Sequence, residues 1–370
     1  MSTPDASSST PPTPASMPRH ITRCSRRRPV RHSPDHWVVV ETLSDDDTAS
    51  VIIDGIYQRD FANLNRVAIA TSAAIARRLH PLVRRCTRHG RLEHDDIALP
   101  SETSLRIYAT PIFGPNDHVY GVGLCIDTPP YSPPTPPAIG AVEWNRKTGT
   151  ATVSAAVYQL LELTSNQTCC HTTLSDVMRQ FDRWDDRDGF LALFDPSVPT
   201  DRWTGTAATR LHTGIRRHLY IAARSSHTTG TIRALVCGLS TAGTTPSADC
   251  ISAALRGIRL ASDQAVGIID LRSGLIHEWV DASHGGLLCH SPHTPKIHPD
   301  DAPVVAEACI RLLTETTTAT EVLRIGRHDD WVTASTRWTL ICQDNRPQAL
   351  LEITVIPQQA NDSSGNNCRP

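Results

Sequence analysis

The chain is poor in lysine, methionine and aromatic side chains, and it lacks charge of one sign. Lys147 and Lys296 are its two lysines, so almost all of its 36 basic residues are arginines. Arginine has GC-rich codons, and with abundant alanine, threonine and proline this bias reads as a GC-rich genome before it reads as an arginine-specific function. The basic residues face 38 acidic ones, which argues against a surface built as a footprint for nucleic acid or anionic lipid. No stretch approaches the roughly 18 apolar residues of a membrane-spanning helix. The segment after Met1 has no apolar core of an export signal or anchor, so the expectation is a cytoplasmic chain without a membrane partner. P-loop, dinucleotide fingerprint and Gly-x-Ser-x-Gly elbow are also missing, which leaves the expectation that the protein is not an enzyme.

What is present is modular. A length of 370 residues suggests two or three domains. Residues 1–34 combine Ser/Thr/Pro repeats with Arg23, Arg26, Arg27, Arg28 and Arg31, a composition predicted to stay disordered. Residues 35–127 read as a first domain, with a helix over Asn63 to His80 stopped near Pro81. Its last two strands, Leu105 to Phe113 and Val119 to Ile126, are joined by a Gly-Pro-Asn-Asp turn. Residues 128–137 hold six prolines, predicting a semi-rigid spacer. Residues 138–242 form a second domain: two strands, a helix capped by Ser154, a helix from Leu174 to Trp184, and strands at 217–224 and 231–239. Residues 243–261 read as linker and helix. Residues 262–358 form a third domain. There Pro303 and an aspartate open a helix bearing Val304, Val305, Ala308, Cys309, Leu312 and Leu313. Strands from Glu321 to Ile325, Trp331 to Ile341 and Ala349 to Ile356 follow it. Residues 359–370 have nothing to pack.

A glycine-led strand, a turn ending in glycine and a second strand occur twice, from Gly140 to Ser154 and from Gly267 to Val280. In the second copy this hairpin leads to His298-Pro-Asp-Asp301, to Arg324 and Asp329-Asp-Trp331, and to the closing run from Leu350 to Val355. That order resembles a PAS domain over residues 267–356. Gly140 to Leu163 is similar to the opening of another, and residues 105–126 resemble the end of a GAF- or PAS-like module. Residues 36–357 together are similar to uncharacterised actinobacterial proteins with tandem GAF/PAS-like sensory domains. The resemblance implies an α+β fold of tandem modules, each an antiparallel sheet with helices on one face. It also implies a signalling role through a small-molecule ligand or through a protein partner or homodimer. A ligand-free adaptor or dimerisation scaffold is the alternative, and an unrecognised hydrolase a third reading. The cofactor is unknown.

Candidate site residues are few. Trp144, Trp331 and Trp338 could line a ligand pocket, although aromatic residues in alternating strands are more often core. Cys289, His290 and His293 supply sulfur and nitrogen for zinc, yet their spacing matches no zinc template. Cys169-Cys170-His171 reads as a loop, because adjacent side chains point in different directions. The eleven cysteines are scattered, and Cys125, Cys237, Cys309 and Cys342 sit in apolar runs, the setting of free thiols.

Overall fold

Three antiparallel sheets follow one another along the chain, and all are built to one plan. The computed structural model describes residues 36–46, 48–98, 104–131, 135–162, 172–197, 200–210, 215–226, 228–239, 264–280, 295–327, 330–343 and 346–356. All of these fall in one compact unit, Ser33–Pro370. The first sheet contains β1 (Val38–Glu41), β2 (Ser50–Asp54), β3 (Tyr57–Ala62), β4 (Glu93–Ala98), β5 (Ser104–Phe113) and β6 (Val119–Asp127). The second contains β7 (Ile139–Asn145), β8 (Thr150–Val153), β9 (Thr172–Thr173), β10 (Arg183–Trp184), β11 (Arg202–Arg210), β12 (Arg216–Ser226) and β13 (Thr231–Gly238). The third contains β14 (Gln264–Asp270), β15 (Leu275–Val280), β16 (Lys296–Ile297), β17 (Thr318–Arg327), β18 (Asp330–Cys342) and β19 (Gln348–Val355). Their spatial orders are β3-β2-β1-β6-β5-β4, β10-β11-β12-β13-β7-β8-β9 and β15-β14-β19-β18-β17-β16. In each, the first strand of the module lies beside its last.

The repeated glycine turns are real and alike. Gly149 and Gly274 both adopt a positive φ, 66° and 69°, which glycine enters without steric cost. Each donates its N–H to the carbonyl four residues back, Asn145 at 2.9 Å and Asp270 at 2.8 Å. The side chains of those two residues also accept from backbone N–H groups inside the turn, Lys147 and Thr148 in one and Ser273 in the other. Asn and Asp are turn formers for this reason.

Helices cover one face of each sheet. On the first lies α1 (Ala73–His89), capped by Ser72, whose side chain accepts from Ile75 N, and ended by Gly90 at φ 60°. The expectation of a helix from Asn63 to His80 is corrected at both ends, since Pro81 lies inside α1. A mid-helix proline costs about 3 kcal/mol. The buried face of Ile75, Leu79, Leu82, Val83 and Cys86 continues past it, and burying the later side chains at roughly 1.5–3 kcal/mol each outweighs that cost.

The second sheet carries α2 (Ala155–Leu161), α3 (Leu174–Met178) and α4 (Arg187–Ala192). The predicted helix from Leu174 to Trp184 stops at Met178, because Arg183 and Trp184 pair instead with Ala208 and Ala207 of β11. Ser154 sits at the N-cap of α2 without capping it; its hydroxyl accepts from Ala141 N at 2.9 Å and ties the helix to β7. On the third sheet lies α5 (Ala302–Thr314), with Val305, Ala308, Cys309 and Leu312 buried. Asp301 does not cap it by side chain. Its carboxylate takes the backbone N–H and guanidinium of Arg324 on β17, at 2.7 and 2.6 Å.

The other faces of the first two sheets pack on each other. Val39, Leu43, Ile52 and Tyr120 meet Ile139, Ala141, Tyr220, Ala222, Leu235 and Cys237 in one buried cluster. Gly121 permits the approach: a Cβ there would lie 2.7 Å from Leu235 Cδ1 and 3.0 Å from the Val40 carbonyl. Arginines of the second sheet seal the edge. Arg224 binds the fully buried Glu41 at 2.9 Å, and Arg233 bridges Asp45 at 2.9 Å and Glu143 at 3.1 Å. Among the described residues no helix is long and apolar enough to cross a membrane.

Candidate functional site: a cavity in the second module and the charged junction beside it

The chain has 5 phenylalanines and 7 tryptophans, and the second module gathers many of them in one core with Trp144, Phe181, Phe190, Phe194 and Trp203. Trp184 packs against that core from its edge. Large rigid rings on a curved sheet do not fill space completely. Between β7, β8, α2 and α3 they leave a cavity of about 100 Å³, lined among others by Trp144, Val153, Val157, Asp176, Val177 and Trp184.

Two of its lining residues carry unmet hydrogen-bond donors. The indole Nε1 atoms of Trp144 and Trp184 are buried and have no hydrogen-bond partner, a state that costs about 1–3 kcal/mol per group. Asp176 on α3 is committed to a capping box with Thr173, its carboxylate accepting from the Thr173 N–H at 2.9 Å. Arg179 is exposed at the rim. The space is below the roughly 150 Å³ that holds benzene. It therefore suits a compact molecule of few heavy atoms.

The other two tryptophans singled out from sequence lie elsewhere. Trp338 is fully buried in the third core, and its Nε1 donates to the Thr336 hydroxyl at 2.9 Å. Trp331 lies edge-on to His298, with ring centroids 4.6 Å apart. Cys289, His290 and His293, the residues considered for metal, lie outside the described residues. So do Cys169, Cys170 and His171.

Sequence reasoning did not anticipate a second cluster, where the second and third modules meet. Arg346 of the third module is buried between Asp270 of its own module, at 2.7 Å, and Asp195 of the second, at 3.6 Å. Arg187, the first residue of α4, reaches the opposite way. It pairs with Glu278 at 2.8 Å and donates to His277 Nδ1 at 2.8 Å, both on β15. An arginine can only donate, so the His277 proton sits on Nε2, which is buried without a partner. Burial, with the nearby Arg187 and Arg346 charges, holds the His277 pKa well below the usual imidazole range. Burial pushes Asp270 above the usual carboxylate range, against the pull of Arg346. The one hint in the sequence was Asp270 itself, which occupies the position that Asn145 fills in the first glycine turn.

Residues 36–135 match the family described as Rv3651-like, N-terminal. No curated protein matches the chain in sequence. Among solved structures it is similar to an uncharacterised protein from Mycobacterium tuberculosis, with a TM-score of 0.65 and 17% identity over 88% of this chain and 97% of that one. The fold is therefore shared with an uncharacterised actinobacterial protein. The chain also aligns with an RNA-binding light-oxygen-voltage receptor, at TM-score 0.24 and 8% identity over 59% of this chain and 93% of that one. A further alignment is with the periplasmic sensory domain of the Campylobacter jejuni chemoreceptor Tlp1, at TM-score 0.16 and 10% identity over 55% and 72%. At those TM-scores neither carries an argument.

Proposed function

We infer that the chain is a non-enzymatic signalling protein of GAF/PAS-like modules, whose second module senses a small molecule and relays its presence by protein contacts. The observation that carries this reading is the Trp144 cavity, a space lined by two tryptophans whose buried indole N–H groups lack acceptors. Buried donors are normally satisfied, so an acceptor-bearing occupant that drew either indole N–H round to face it would remove a standing penalty. Binding would then shift the population of module conformations by its differential affinity. The element order supports the modular part of the reading: a hairpin, covering helices, and a meander whose last strand returns beside the first.

The adaptor reading has its own support in the third module. Trp338, Leu351 and Ala334 fill that core with no exposure, leaving the second module as the sensing one. Native mass spectrometry of the full chain purified from its own host separates the two. One small molecule per chain, lost on Trp144→Phe, supports sensing. A clean apo chain would favour the adaptor, provided intrinsic fluorescence also ignores acetamide, acetone and acetate.

A further inference from the structure

The wall of the cavity is also the wall of the junction. All five residues of α3 are buried, although a helix that short has only one face toward its own core. The other side is covered by the third module: Leu275 of β15 packs into the core of the second module, while its neighbour Ile276 packs into the core of the third. One strand thus belongs to two cores. Leu275, Leu174 and the Gly149 turn meet there, since a Cβ on Gly149 would lie 3.3 Å from Leu275 Cδ1 and 3.5 Å from Leu174 Cβ.

A second line of contacts runs from the same cavity. Trp184 stacks on Trp203 at 5.9 Å and 19°. Trp203 Nε1 donates to Asp186 Oδ2 at 2.9 Å, and Asp186 caps α4 from a positive φ of 52°. The next residue is Arg187, the clasp on His277 and Glu278. Arg346 closes the reciprocal clasp from the third module onto Asp195. Charged groups this buried have few alternative arrangements, because a displaced one loses its partner in a dry site.

We propose that the third module is the output arm of the second: occupancy of the Trp144 cavity moves α3 and the Trp184–Trp203 pair, and β15 is displaced through Leu275 and the two arginine clasps. The proposal rests on the sensing reading for its physiological trigger, but its mechanics are tested without a ligand. Val153→Phe, from β8 on the cavity wall, fills the space from within. Hydrogen exchange of the full chain is then followed by mass spectrometry, in the native background and with Arg187→Met/Arg346→Met.

The expected result is faster exchange across 275–280 in Val153→Phe, by about two- to thirty-fold, the span of couplings through packed networks. Residues 104–127 stay unchanged, and the effect on 275–280 shrinks to the part that Leu275 carries when both clasps are cut. Val153→Ile gives the same pattern at smaller amplitude, and decides the matter if the phenylalanine variant does not fold. Exchange changes confined to 139–238, or an equal increment with and without the clasps, overturns the proposal. Either outcome leaves the sensing reading to its own test, the mass of the occupant.

Discussion

Replacing Arg346 by methionine keeps most of the aliphatic volume and removes the cation that bridges two modules. Arg346 is 5% exposed and lies between Asp195 and Asp270, which are 1% and 0% exposed. The stranded carboxylates keep some support. Asp270 still accepts from the Ser273 N–H at 2.8 Å, and Asp195 from the Ser197 N–H and hydroxyl at 2.9 and 2.6 Å. Those bonds place the loss toward the low end of the roughly 3–5 kcal/mol for breaking a buried pair. Protonation sets a ceiling. Asp270, already pushed up by burial, escapes its unpaired charge by taking a proton. From an ordinary carboxylate value near 3.9 that escape costs about 4 kcal/mol at pH 7 and about 1.5 kcal/mol at pH 5.

Arg346→Met is therefore expected to lose about 3–4 kcal/mol at pH 7 and about half as much at pH 5. The sign follows from linkage: a carboxyl whose folded pKa is raised stabilises most when protonated, so the variant gains on the native chain as pH falls. Urea unfolding read by tryptophan fluorescence and by circular dichroism at both pH values measures it. With Asp195→Asn and Asp270→Asn added, most of the loss returns, because no charge is left unpaired. A loss under about 1 kcal/mol at pH 7, or one that does not shrink at pH 5, would refute a buried bridging role.

Other predictions concern separate parts of the molecule. The His277 pKa is depressed by burial and by Arg187 and Arg346, so the stability it lends above pH 6.5 is lost as pH falls below that value. The slope is at most about 1.4 kcal/mol per unit, and the raised Asp270 works against it as pH falls. His277→Gln should flatten urea midpoints measured between pH 7 and 5.5. Gly121→Val forces the first two sheets apart and should cost about 1–3 kcal/mol, with Leu235→Ala restoring part of it in thermal melts. Burial pushes the thiols of Cys86, Cys125, Cys237 and Cys309 up to about 12. Iodoacetamide at pH 8 should therefore label Cys342, which is only half-buried, before any of those four, as peptide mass mapping will show.

The fold was legible where local chemistry and tertiary packing agree. The turns at Gly149 and Gly274, the β5–β6 hairpin and the closing strands of the third sheet need only alternation and turn residues, and the structure has them. The strands β1 to β4 escaped notice because they are short or carry charges, as in Glu93-His-Asp-Asp-Ile-Ala98. Pro81 misled because a proline rule describes a helix in water, whereas α1 gains its stability from the sheet beneath it. The packing of the first two sheets left a trace that could have been read. Val38-Val-Val40 and Leu235-Val-Cys237 are apolar on both faces, and strands of that kind are buried on both sides.

The site was less legible, for a physical reason. Of three tryptophans chosen for the same property, a ring on a strand, one meets the cavity, one fills a core and one lies against a histidine. What separates them is whether the indole N–H has an acceptor: Thr336 supplies one to Trp338, and none reaches Trp144. The charged junction is harder still, because Arg187 and Asp195 are separated from Asp270, His277 and Arg346 by the boundary between the second and third modules. Only the packing of the second module against the third makes them neighbours. A residue such as Asp270 reads in sequence as an ordinary turn former, and it is one. Its second role exists only because the turn it makes is buried against another module, where the same carboxylate that shapes a loop needs an arginine to hold its charge.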